Sequence, residues 1–146
     1  MTKDTEFNVP KDGRSNFNWA LLGELLISFG MPGQISQERF KEFLDTISNR
    51  KPLYLLAVST GASTINSVQR KTGAEVVKVS GIKIAVVLDN AITRGLITAL
   101  GWLGLPMKSC ANEIQALEYL APQGIEPSKV LEIVAKLKAQ TFPADK

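Results

Sequence analysis

Apolar residues along this chain follow two rhythms, short near-continuous runs and a 3.6-residue recurrence, and their alternation predicts the architecture. Leu53 to Val58 and Ile82 to Leu88 are near-continuous runs, the pattern of strands buried on both faces of a sheet. Phe40, Phe43, Leu44 and Ile47 recur at i, i+3, i+4, i+7 behind Ser36, which can cap them, while Ile35 stands where it can staple onto Phe40. A helix from about Gln37 to Ser48 is the expectation. From Phe17 to Phe29 the chain is apolar and β-tolerant, so it reads as one bulged strand or as two short strands joined near Leu22-Gly23-Glu24. Gly30-Met31-Pro32-Gly33 stops it.

The second half repeats the alternation. A short helix is expected from about Ser63 to Lys71, ended by Gly73, then an edge strand over Ala74 to Val79, where Val76, Val77 and Val79 favour extended backbone. After Ile82 to Leu88 comes a helix from about Ala91 to Leu103, then a short β-like stretch from Leu105 to Ala111. Asn112, with Gln115 three residues on, opens a helix whose face is Ile114, Leu117 and Leu120 and whose stop is Pro122. The last helix, about 127–141, starts near Pro127 and sets Val130, Val134 and Leu137 along one side. The predicted class is α/β: an N-terminal β section, then alternating strands and helices, giving a mixed, mostly parallel sheet with helices packed on it and an extra C-terminal helix. Residues 1–16, polar and rich in breakers, read as a flexible arm, and 17–146 as one domain.

Composition narrows the function more than the fold. The 146 residues suffice for one core without disulfide or metal. Net charge is only +3, and the basic residues come in scattered pairs such as Arg50-Lys51 and Arg70-Lys71, which makes nucleic acid an unlikely partner. The opening Met1 to Glu6 lacks an apolar leader core and Cys110 has no second cysteine to pair with, so the expected location is the cytoplasm. Clean apolar runs such as Ile84 to Leu88 are far short of the roughly 18 residues of a membrane span. The chain has no histidine, which removes the usual general base, the usual metal ligand and every Ser-His or Cys-His pairing. No enzyme, metal or cofactor is expected.

Two polar clusters remain as candidate sites. Ser59-Thr60-Gly61-Ala62-Ser63-Thr64 reads as a capped helix start or as a phospho-acceptor turn, and it lacks the Gly-Lys-Ser/Thr of a P-loop. Asp89 and Asn90, with Thr93 and Arg94, follow a buried strand; a helix cap is the first reading there, and ligand or partner contact, at the strand ends where open α/β sheets bind ligands, the second. Cys110 reads as a buried, inert thiol. Glu113, Glu118, Glu126 and Glu132 are spread without pairing.

From about Leu25 to Leu120, several phrases resemble the STAS superfamily, which includes anti-sigma-factor antagonists and the cytoplasmic ends of sulfate transporters. Gly81 to Val87 resembles its Gly-led fourth strand, Leu100 to Leu105 a helix ending in Gly-Leu, and Asn112 to Leu117 its closing helix. Ile84 to Asp89 and Gln115 to Leu120 resemble its divergent bacterial STAS/SEC14-like branch. The resemblance implies a non-enzymatic regulatory domain that contacts a protein partner, a kinase-like or other regulator, or a second copy as a homodimer. The family's phosphorylated Asp-Ser-Ser-Gly turn corresponds to Ser59 to Thr64, without the Asp, and would place phosphate on Ser63 first and Thr64 second. The alternative is a small-molecule or lipid-binding module using the Ser59 to Thr64 loop and the Asp89 end of the sheet. A deep apolar cavity would favour that alternative, whereas a shallow exposed apolar patch on the helix after Thr60 or after Asp89 would favour protein contact.

Overall fold

The computed structural model describes residues 5–10, 15–60, 63–88 and 107–144. Strands β2 (Phe17–Leu22) and β3 (Leu25–Gly30) form a hairpin in register from Phe17 opposite Gly30 to Leu22 opposite Leu25. Its two-residue turn begins with Gly23 at φ 60°, a left-handed value that suits glycine, so the apolar stretch divides into two strands. Strand β1 (Thr5–Asn8) pairs antiparallel along the outer side of β2. The flexible-arm reading is therefore corrected at residues 5–8: an edge strand needs ladder hydrogen bonds more than apolar side chains, so polar composition hid it. Residues 1–4 and 11–14 of that arm lie outside the described residues.

Beyond the short β4 (Gly33–Gln34), helix α1 (Gln37–Arg50) starts where the pattern predicts, with the Ser36 side chain accepting from the Arg39 N–H. Strand β5 (Tyr54–Ser59) lies parallel to β3, β7 (Lys83–Leu88) parallel to β5, and β8 (Met107–Cys110) parallel to β7. The result is a six-stranded mixed sheet in the order β1-β2-β3-β5-β7-β8. Between β5 and β7 come β6 (Ser63–Thr64) and helix α2 (Ser67–Ser80); after β8 come α3 (Glu113–Leu120) and α4 (Pro127–Ala139). The helix expected over Ala91 to Leu103 lies outside the described residues, as does Trp102.

Side-chain alternation along the strands supplies two cores. One face offers Leu25, Ile27, Phe29, Leu56, Val58 and Val87 to Leu117, Leu120, Ile133 and Leu137 of α3 and α4. The other offers Trp19, Leu26, Leu55, Ile84 and Val86 to Phe43, Leu44 and Ile47 of α1 and Val77 of α2. The C-terminal helix thus closes its own sheet, with Val130, Ile133, Val134 and Leu137 buried. In α3 the Asn112 cap forms as predicted, but Ile114 is 45% exposed and Ala116 takes its place inside.

Helix α2 overturns two expectations. It does not run from Ser63 to Lys71, and Ala74 to Val79 is not an edge strand: one helix spans Ser67–Ser80 and ends on Gly81 in the left-handed conformation. Asn66 and Gln69 start it with a reciprocal capping box. Gly73 does not end the helix but brings it close to α1, because a Cβ there would stand 3.1 Å from the Phe40 Cζ. Packing against α1 and the sheet outweighs the strand preference of the valines. Gly73→Val should therefore destabilise the protein by about 1–3 kcal/mol through overpacking. Gly73→Ala should be near neutral, its gain in helix propensity of about 1 kcal/mol offset by the contact with Phe40. Urea melts of both variants check this, and equal stability of Gly73→Val and the native chain would contradict the close-approach account.

Candidate functional site

The carboxyl ends of the parallel strands are the natural place for a site in an open α/β sheet. Strands β3, β5 and β7 end level with one another, Gly30 paired with Ser59 and Ser59 with Leu88. The Thr60 N–H donates to the Gly30 carbonyl at 3.0 Å, and both Ser59 and Thr60 are half-buried. Beyond them the β3–α1 and β5–α2 connections run side by side, joined as the parallel pair β4–β6. Ser63 and Thr64 are therefore strand residues, and the helix-start reading of this stretch is corrected: Asn66 occupies the cap that the hydroxyl residues were expected to supply. Asp89, Asn90, Thr93 and Arg94 lie outside the described residues; Ser59 is aligned with Leu88, the residue that precedes Asp89.

Buried polar side chains lock this end of the molecule. Gln69 is almost fully buried; its Oε1 accepts from the Asn66 N–H at 2.9 Å and from Gln34 Nε2 at 2.8 Å, while its Nε2 donates to the Ile35 carbonyl at 2.9 Å. The segment after α4 returns here as well, the Phe142 N–H donating to the Ser15 carbonyl and the Ala144 N–H to the Pro32 carbonyl, both at 2.9 Å. Gly33, at φ 119°, permits that approach, since a Cβ on it would collide with Ala144.

Arg39 is the functional-looking residue that sequence reasoning missed. Its signal was present: a cation in the first turn of a helix opposes the helix dipole and needs compensation elsewhere. The compensation is structural. Its guanidinium donates to the Asn8 side chain at 2.8 Å, the Asn8 carbonyl at 3.0 Å, the Phe17 carbonyl at 3.2 Å and Asn18 Oδ1 at 2.9 Å. It also stacks over Trp19 at 4.1 Å, within a cluster where Phe17, Trp19 and Phe43 meet edge-on or tilted. Asn18 relays the tie to the other layer by donating to Thr141 Oγ1 at 3.0 Å and the Gln140 carbonyl at 3.1 Å. Burial pulls the Arg39 pKa down and Glu42 opposes the shift, yet so basic a group stays charged. With its donors engaged by the chain itself, Arg39 is a fastening rather than a receptor.

A separate surface feature is apolar. Between the C-terminal ends of α1 and α2 lies a groove of about 580 Å³, lined by Ile47, Pro52, Leu53, Val76 and Val79, with Lys51 and Glu75 among its polar neighbours. Val79 is 89% exposed, Val68 63% and Leu53 51%. Among the described residues, no three His, Cys, Asp or Glu side chains gather as a metal site. Cys110 is buried, and burial pushes its thiol pKa up, against the pull of Lys108. No helix of the described residues is long and apolar enough to cross a membrane.

Comparison with family models, with curated proteins and with solved structures finds no match to this chain.

Three outcomes follow from this geometry. Arg39→Met leaves the Asn8 and Phe17 carbonyls and Asn18 Oδ1 short of a donor, so a loss of about 2–4 kcal/mol is expected in denaturant titration. Glu42→Gln, which touches only the exposed side of the same guanidinium, should change stability by about 0.5 kcal/mol or less. The Cys110 thiol, buried and held in its neutral form, should stay unlabelled by iodoacetamide while the urea-unfolded chain reacts to completion. Rapid labelling of the folded protein would show that β8 opens readily.

Proposed function

We propose that this chain is a non-enzymatic regulatory domain that works by docking another protein, as its resemblance to the anti-sigma-factor antagonists implies, with the α1–α2 groove as its docking face. The observation that carries the reading is the exposure of Val79 and Leu53 on an open apolar groove, with Val68 exposed further along the same helix. The groove lies on the helix that follows Thr60, where protein contact was expected to leave a shallow apolar patch. β-branched residues are poor helix formers, and at these exposed positions they gain no burial in return. A covering protein surface would supply that gain.

The polar chemistry favours the same reading. Arg39, Asn18 and Gln69, the side chains that would attract a catalytic reading, hydrogen-bond to the chain itself. Phosphate on Ser63 or Thr64 would act by a different route from the one first expected. It would sit on the β4–β6 pair, and the amides at the start of α2 already have the Asn66 cap. A phosphorylated β6 would loosen the link between the α1 and α2 connections and so alter the face that the two helices share. The expected location is the cytoplasm.

Capture from the native cell extract on immobilised protein, with Val79→Glu as the paired control, tests the docking reading. A protein retained by the native chain and lost by Val79→Glu is the expected result, with intact mass reporting phosphate at Ser63 or Thr64 in the same sample. A lipid or metabolite retained equally by both forms, with no protein sensitive to Val79→Glu, would remove the docking reading in favour of a binding module.

A further inference from the structure

The exposed side of α2 carries a stripe that is complementary to itself. Val68, Thr72, Glu75 and Val79 are all exposed and stand at i, i+4, i+7 and i+11, one line along the helix. The spacing of four, three and four reads the same from either end. An antiparallel copy of the helix therefore sets Val68 opposite Val79 at both ends and Thr72 opposite Glu75 in the middle. Exposed Lys71 borders the stripe on its Glu75 side, so the Lys71 of the other copy stands level with each Glu75 and offsets the approach of the two Glu75, which lie about 4.5 Å apart along the axis. A parallel copy would instead stack Glu75 on Glu75.

From this pattern we propose that the groove's occupant in the isolated protein is a second copy of this chain, docked by antiparallel pairing of α2 across a two-fold axis. The proposal rests on the docking reading above and names the partner at that site. A two-fold contact must present the same patch from both sides, which this stripe does. Val68 of the partner subunit then enters the depression between Leu53, Val76 and Val79, and both copies cover their exposed valines at once. The helix has 14 residues and so is about 21 Å long, which keeps the buried area near the low end of specific interfaces. The dimer is accordingly weak and reversible.

Sedimentation over a concentration series reaching about 0.5 mM, suited to so small an interface, reads the assembly state. Oxidative trapping reads the register. In an antiparallel pair the two copies of residue 79 stand about 16 Å apart along the axis, too far for a disulfide, whereas residue 68 faces residue 79 of the other copy. The Val68→Cys/Val79→Cys double variant should trap a covalent dimer, and Val68→Cys or Val79→Cys alone should not; Cys110 is buried and stays out of the reaction. Val79→Asp, whose own fold is checked by its circular dichroism, should sediment as a monomer throughout. A native chain that is monomeric at every concentration, a dimer that survives Val79→Asp, or a double variant that traps no more than the single ones overturns the proposal. A monomer that still captures a Val79-dependent protein would leave the docking reading standing and remove only the self-pairing.

Discussion

Burial on both faces of the central strands is the constraint from which the rest of this molecule follows. Every residue of β2 and β3 is buried, as are five of the six in β7. Such strands need cover on both sides, and the chain supplies two helices to each face. Among the described residues, both faces of β3, β5 and β7 are thereby taken up by helices. The inner sides of α1 to α4 are occupied as well, so anything the domain does among the described residues falls to the rims of the sheet and the outer sides of the helices.

The rims are where polar side chains gather, and their state decides between chemistry and structure. Strand β1 ends opposite Trp19, two residues short of Phe17, and Arg39 extends the donor row to the Phe17 carbonyl. Asn18 then carries the connection from the α1 layer to the end of α4, which lies on the opposite side of the sheet. Gln69 does the same between the two connections at the carboxyl end. A buried polar group that has its partners stabilises one arrangement and offers nothing to a substrate. Among the described residues, α2 carries an apolar surface that the chain leaves uncovered, and the proposed docking rests on it.

Most of the architecture was legible because caps and periodicity agreed. Ser36 and the Phe40-to-Ile47 spacing located α1, Asn112 and Gln115 located α3, and Pro127 located α4. The failures have specific physical causes. Strand β1 exists through pairing with β2, which polar Thr5 to Asn8 do not announce. Gly73 looked like a stop because a glycine's local effect is visible in sequence, whereas its service to Phe40 is tertiary. The candidate site was less legible than the fold. Ser63 and Thr64 were read as helix-starting residues although Asn66 and Gln69, three apart, carry the stronger capping signal. The proposed docking stripe could not be read at all while Ala74 to Val79 was taken for a strand, since its four positions align only in a helix.

That misreading and the proposed function share one cause. Four valines in a 14-residue helix weaken its intrinsic preference, and only Val77 is buried deeply enough to offset the loss through the core. Val76 gains partly, at the edge of the groove. Val79 gains almost no burial and Val68 little in the isolated chain, so α2 is held by its capping box, by Gln69 and by the contact of Gly73 with Phe40 rather than by its outer residues. Alanine at both outer positions would make a better helix. What valine adds over alanine is a branched apolar surface, and such a surface lowers the free energy only when something covers it. The strand-like text of α2 is thus the sequence mark of a helix whose outer valines the isolated chain leaves uncovered.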